Sequence, residues 1–168
     1  MAIKDSGERR AFYDADGNPT GAVRDIQEGK GRCDLLPLDV VNKYMDVWRG
    51  SEVFTAIESF QRSGDHTELL CALWQFDEYD PITMVLEVSK HFEEGCKKYG
   101  ENNWQKGIPT RCYIDSAIRH YLKWYRGDDD EPHDRAFIWN MLGAVWTQTH
   151  RPDHIDLPFN REVMNHEN

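Results

Sequence analysis

From residue 38 to residue 150 the apolar residues recur three and four apart, and no stretch alternates convincingly in twos. Residues three and four apart share one face of a helix, whereas a half-buried strand needs a period of two. This pattern restricts the chain to an all-α fold, expected as a compact helical bundle of about six helices with an extended N-terminal arm. Val40, Val41, Tyr44, Val47 and Trp48 open the series, which stops at Gly50. Val53, Ile57 and Phe60 carry a second helix to Ser63-Gly64, and Leu69, Leu70, Leu73 and Trp74 a third. Pro81 starts a fourth that runs to Tyr99-Gly100. After the loop "GENNWQKGIPT", a helix is expected from about Arg111 to Arg126, and a last one from Pro132 to about Thr149. The arm spans residues 1–37, the helical domain 38–150, and an irregular tail with Pro152 and Pro158 spans 151–168.

The 168 residues suffice for one domain with a real core. A net charge of -10, from 30 acids against 20 bases, argues against a general nucleic-acid or membrane surface. It leaves room for a site that holds divalent cations. Cys33, Cys71, Cys96 and Cys112 form no CxxC pair and no zinc spacing. With no apolar start and no run long enough to cross a bilayer, they read as reduced thiols in a cytoplasmic protein.

The last helix is apolar almost all round, from Ile138 to Trp146, yet it carries His133 and Asn140 two turns apart on one side. A buried amide is costly unless hydrogen-bonded, so this seam borders either a satisfied core contact or a site. Pro132 suits the first helical position, and Asp130 or Glu131 can cap the helix. Capping explains one or two acids, not Asp128, Asp129, Asp130, Glu131 and Asp134 together. Either the surplus is a solvated loop, or these acids coordinate a hard cation through oxygen, with Glu93 opposite them. On the fourth helix Val85, Val88, Phe92, Cys96 and Tyr99 make the expected buried stripe. Glu93 borders it and Glu94 points to water. On the next helix Asp115 and Arg119 sit one turn apart, either a surface pair or part of the site, and His120 lies on the far side beside Trp124. In the loops, Lys98 and Lys106 bring positive charge for phosphate, Asn103 an amide, and Trp104 a flat face for a base. Gly29, Lys30, Gly31 and Arg32 could cradle phosphate, although their spacing is not that of a P-loop.

Two stretches, "TGAVRDIQEGKGRCDLLP" and "HFEEGCKKYGENNWQKGIPTRCYIDSAIRHYLKWYRGDDDEPHDRAFIWN", carry GKGRxDLLP, KYGxxNWxKG, DSAxRH, DExH and WN in that order. As a set these resemble the mainly phage and prophage dATP/dGTP diphosphohydrolase (MazZ) family, over about residues 20–49 and 84–149. The resemblance implies a MazG-like, all-α pyrophosphohydrolase that splits a (deoxy)nucleoside triphosphate into monophosphate and pyrophosphate with Mg²⁺ or Mn²⁺. Purine dNTPs would be its substrates, and a dimer or tetramer its usual assembly. Relative to shorter relatives, residues 50–83 look like an inserted helical pair. The acidic pattern also departs from that of MazG proteins: Glu87, Glu93 and Glu94 lack the Glu-x-x-Glu spacing, and Asn140 stands where a later Asp is expected.

Together these readings assign metal to Glu93, Asp130 and Glu131, with Asp115 a further candidate. Glu93, His133 and Asn140 are the expected catalytic or positioning groups. Lys30, Arg32, Lys98, Asn103, Trp104, Lys106 and Arg119 are expected on substrate. One alternative is an HD-type phosphohydrolase, since His133-Asp134 is an HD dipeptide preceded by His91 and His120. The other is a non-catalytic acidic protein that binds a host partner.

Overall fold

The computed structural model describes residues 7–26, 30–37, 40, 41, 44, 52–76 and 80–157. Most of the helix expected at 40–50, Gly29 in the arm, and the tail beyond Leu157 lie outside the described residues. The chain divides into two compact units, one of residues 1–34 and 82–155, the other of 35–81 and 156–168.

The second unit is built on two helices, α1 (Glu52–Ser63) and α2 (Thr67–Trp74), which pack on each other. Val53, Phe54, Ala56, Ile57 and Phe60 are buried on α1, the spacing that the sequence displays. Between the helices, the Asp65 carboxylate accepts hydrogen bonds from the Thr67 backbone N–H (2.8 Å) and hydroxyl (2.6 Å), satisfying a donor at the start of α2.

Among its described residues the first unit holds three α-helices, α3 (Pro81–Tyr99), α4 (Thr110–Arg126) and α5 (His133–His150). α4 and α5 lie side by side. Their junction begins at Gly127, in the left-handed region at φ +88°, where Asp128 N–H reaches back to the Lys123 carbonyl (3.0 Å). Phe137, Met141 and Ala144 on α5 and Ile114, Ala117 and Ile118 on α4 form the core between them. Gly143 is required there, because a Cβ at that position would stand 2.4 Å from the Tyr113 ring. The small residue therefore makes room for Tyr113 and not for a ligand.

The expectation of no strand is corrected by a hairpin within the arm. β1 (Arg9–Tyr13) pairs antiparallel with β2 (Pro19–Asp25), with Arg9 opposite Asp25 and Ala11 opposite Val23. Asp14 closes the turn by accepting from the Asp16 (3.0 Å) and Asn18 (2.8 Å) N–H groups, and Gly17 supplies a positive φ of 83°. The hairpin is tied to the helices by Asn103, which sits in a short 3-10 turn, Asn103–Gln105. Its amide exchanges two 2.9 Å hydrogen bonds with the Val23 backbone. Among the described residues no helix is long and apolar enough to cross a membrane.

Candidate functional site

Hairpin, α3, α4 and α5 enclose a cavity of about 600 Å³, within the range of about 300–1,000 Å³ typical for small-molecule sites. Its walls differ in chemistry. Arg24, Lys30, Arg119 and Lys123 supply positive charge, while Phe92, Trp104 and Trp139 supply aromatic surface. Phe92 meets Trp104 and Trp139 edge-on, with centroids 5.3 and 5.7 Å apart. Such contacts fix the rings as a rigid wall.

Arg24 is the central cation. Its guanidinium donates to Asn140 Oδ1 (2.8 Å), the Cys112 carbonyl (3.1 Å) and Ser116 Oγ (3.2 Å), and it lies over the Tyr113 and Trp139 rings. Asn140, 1% exposed, in turn donates to the Ala136 carbonyl (2.8 Å). The seam on the last helix is thus a satisfied amide that also holds an arginine in the cavity wall. Lys30 is lowered from the ordinary lysine range, by burial first and then by the positive charge of Arg119, Lys98 and Arg24 acting against Asp25. Burial holds the nearby His91 imidazole neutral, down to about 3, with Arg135 adding to the effect.

The acidic loop meets α4 through two histidines. His120 Nδ1 lies 2.9 Å from His133 Nδ1, and His133 Nε2 lies 2.8 Å from Asp130 Oδ1. Glu131 Oε1 stands 3.7 Å from both Nδ1 atoms. His120 and Glu131 line the cavity, and His133 is 1% exposed behind them. Asp130 is lowered to about 2 by its bond with His133 and then by Lys123, so it stays ionised. Burial keeps His120 well below its ordinary value, with His133 next in effect.

Several sequence expectations are corrected by this geometry. Glu93 is not at the cavity: its carboxylate is 65% exposed and paired with Lys97 on the outer face of α3. Glu94, expected in water, instead accepts two bonds (2.8 and 2.7 Å) from the buried Arg135 of α5. The cause is a rotation of the buried stripe. α3 buries Met84, Val88 and His91, and leaves Val85 60% exposed. His120 is not on a far side but against α5. Asp115 is buried, yet its oxygens are engaged by Arg119 and by the Cys33 N–H (2.6 Å), which removes it from a metal set. Arg32 pairs with Asp34, neither of them lining the cavity, and Lys98 is likewise off the lining but pairs with Asp25 (2.8 Å), which is part of it. Lys106 is exposed, with its chain near Gly21. Lys30, Asn103, Trp104, Arg119, Glu131 and Asn140 do line the cavity. Asn103 spends its amide on Val23, and Arg119 also donates to the Lys30 carbonyl (2.9 Å). Sequence reasoning missed Arg24, Lys123, Trp139 and the pairing of His120 with His133. For Arg24 a signal existed: Asp16-Gly17 is a strong hairpin turn, and a hairpin would have carried Arg24 back toward the helices.

No curated protein and no solved structure matches the chain. The family described as "dATP/dGTP diphosphohydrolase, N-terminal" matches residues 58–156, more than half of the sequence and all of α4 and α5. By that match over more than half of its length, the chain belongs to the dATP/dGTP diphosphohydrolase family.

Proposed function

We propose that the chain hydrolyses a purine deoxynucleoside triphosphate between its α and β phosphates, giving the monophosphate and pyrophosphate, with a divalent cation such as Mg²⁺ or Mn²⁺. The observation that carries this function is one cavity with a cationic wall, an aromatic wall and a carboxylate–histidine end. Arg24, Lys30, Arg119 and Lys123 neutralise the triphosphate, whose charge is otherwise the main barrier to approach of a nucleophile. Trp104, Phe92 and Trp139 offer a flat partner for the base. Water would bind at the His120–Glu131 end of the cavity, beside the residues that would hold the ion.

Whether these residues suit a divalent ion depends on their donor atoms. Glu93 and Asp115 do not fit, because one is on the outer face and the other is engaged by Arg119 and a backbone N–H. The Asp130–Glu131 loop with His120 and His133 does fit, offering carboxylate oxygen and imidazole nitrogen within a few ångströms. An ion held there would supply charge neutralisation and activation of water. The metal-assisted chemistry, the purine preference and assembly as a homo-oligomer all belong to this proposal.

The test is direct. Each of the four dNTPs is incubated with purified protein and Mg²⁺ or Mn²⁺, and the products are separated by ion exchange. dNMP and pyrophosphate are expected, fastest from the purine substrates. Release of dNDP and orthophosphate, or of nucleoside and tripolyphosphate, would refute the reaction.

A further inference from the structure

We propose that His120, Glu131 and His133 are the three protein ligands of a transition-metal ion, and that Asp130 orients His133 from outside that shell. This deepens the proposed function, on which it rests only for its catalytic meaning. The spacing of the donor atoms is the first support. His120 Nδ1, His133 Nδ1 and Glu131 Oε1 form a triangle with sides of 2.9, 3.7 and 3.7 Å. Three ligands at about 2.1 Å from one ion, at angles between octahedral and tetrahedral, would lie roughly 3.0–3.4 Å apart. The triangle needs to close by only a few tenths of an ångström on its two long sides.

The hydrogen bonds of His133 are the second support. Asp130 Oδ1 is a carboxylate acceptor 2.8 Å from Nε2, so Nε2 carries the proton and Nδ1 presents a lone pair. A carboxylate on the far nitrogen is the usual way to fix a ligating imidazole. In the absence of an ion, the His133 Nδ1 lone pair accepts a proton from His120 Nδ1 across 2.9 Å. An ion would take the place of that shared proton, which would move to His120 Nε2, so His120 stays a neutral imidazole and the proton count of the pair is unchanged. The third support is access: His120 and Glu131 line the cavity, which leaves the remaining coordination positions open to water or phosphate oxygen.

Two imidazoles and one carboxylate select among ions. Mg²⁺ prefers oxygen in an octahedral shell, whereas Mn²⁺, Co²⁺ and Zn²⁺ accept nitrogen readily. The site should therefore bind Co²⁺ or Mn²⁺ in preference to Mg²⁺. The neighbouring Asp128–Asp130–His133 group is the weaker alternative, because Asp128 is paired with Arg126 and Asp130 with Lys123.

The experiment uses the full chain after chelator treatment, without nucleotide, titrated with Co²⁺ and followed by visible absorption and calorimetry. One Co²⁺ per chain is expected, with a d–d band that a hundredfold excess of Mg²⁺ does not remove. His120→Asn and the isosteric Glu131→Gln should each weaken Co²⁺ binding at least tenfold and shift the band, and Asp130→Asn should weaken it by about 10–100-fold. Circular dichroism confirms that each variant is folded. Glu131→Gln, at a partly exposed position, serves where the histidine variant does not fold. Unchanged Co²⁺ affinity in folded Glu131→Gln, or displacement of Co²⁺ by equimolar Mg²⁺, overturns the assignment. Because binding is read without substrate, a protein that binds Co²⁺ in this way but leaves dNTPs intact would sink the hydrolase function alone.

Discussion

Asn140→Leu removes the shortest of the three acceptors of Arg24, the bond of 2.8 Å. The guanidinium keeps the Cys112 carbonyl and Ser116 Oγ at 3.1 and 3.2 Å and stays over the two rings, but the acceptor lost is on a residue only 1% exposed, and leucine offers no replacement. A hydrogen bond to a charged group contributes about 1.5–3 kcal/mol. The other bond of Asn140, to the Ala136 carbonyl, adds little, since that carbonyl also lies in reach of the helix's own N–H ladder. The expected cost is therefore about 2 kcal/mol, read from urea unfolding. The mechanism predicts more than a cost. If Asn140 acts through Arg24, then Arg24→Met already removes the contact, and adding Asn140→Leu to it should cost little more. A double-mutant cycle should show a coupling of about 1.5–2 kcal/mol, and each single variant should lose about tenfold in kcat/KM for a purine dNTP. Losses that add to within about 0.5 kcal/mol would refute the coupling. So would an Asn140→Leu protein that loses stability while turnover is untouched.

Two further outcomes follow from the corrected geometry of α3. Glu94→Gln should destabilise the protein by about 2 kcal/mol by weakening the hold on buried Arg135, while Glu93→Gln should leave the urea midpoint where it was; equal effects from the two would undo the revised helix face. His91, whose folded value of about 3 lies below the ordinary 6.5, refuses a proton that the unfolded chain takes up between those values. Stability should then rise with pH from about 3 to 6.5 and level off above, His91 contributing up to about 1.4 kcal/mol per pH unit. His91→Phe, which keeps the ring beside Trp139, should flatten that slope, and an unchanged slope would mean that His91 is protonated in the fold.

Helix positions were legible from the sequence because their cause is local. Apolar spacing set α3, α4 and α5 to within a few residues, and Gly127 marked the end of α4 in the left-handed conformation that glycine adopts readily. The rotation of α3 about its axis was not legible. Ile82, Val85 and Leu86 are apolar yet exposed, and His91 is polar yet buried, so a stripe drawn through the most apolar residues pointed Glu93 inward in place of Glu94. Burial of His91 depends on Trp139, 5.3 Å away on another helix, and no pattern within α3 encodes it. The same holds for His120: its partner lies across the acidic loop, and a wheel drawn for one helix cannot place a neighbour. The acidic loop was singled out by its carboxylates, and the imidazoles that the fold brings beside them, His120 and His133, were underrated.

The attachment of the hairpin bears on how the cavity assembles and opens. Arg24 and Asn140 are 116 residues apart in the chain, and Val23 and Asn103 are 80 apart, whereas α4 and α5 adjoin through a short loop. Closing so long a loop costs chain entropy before its few contacts give any return, so the pair of helices should form early and the hairpin should dock late. Segments held by few contacts are also the first to detach in native-state fluctuations. The hairpin side of the cavity, which carries Arg24, is thus its most labile wall, whereas Arg119 and Lys123 stay fixed on the helical core.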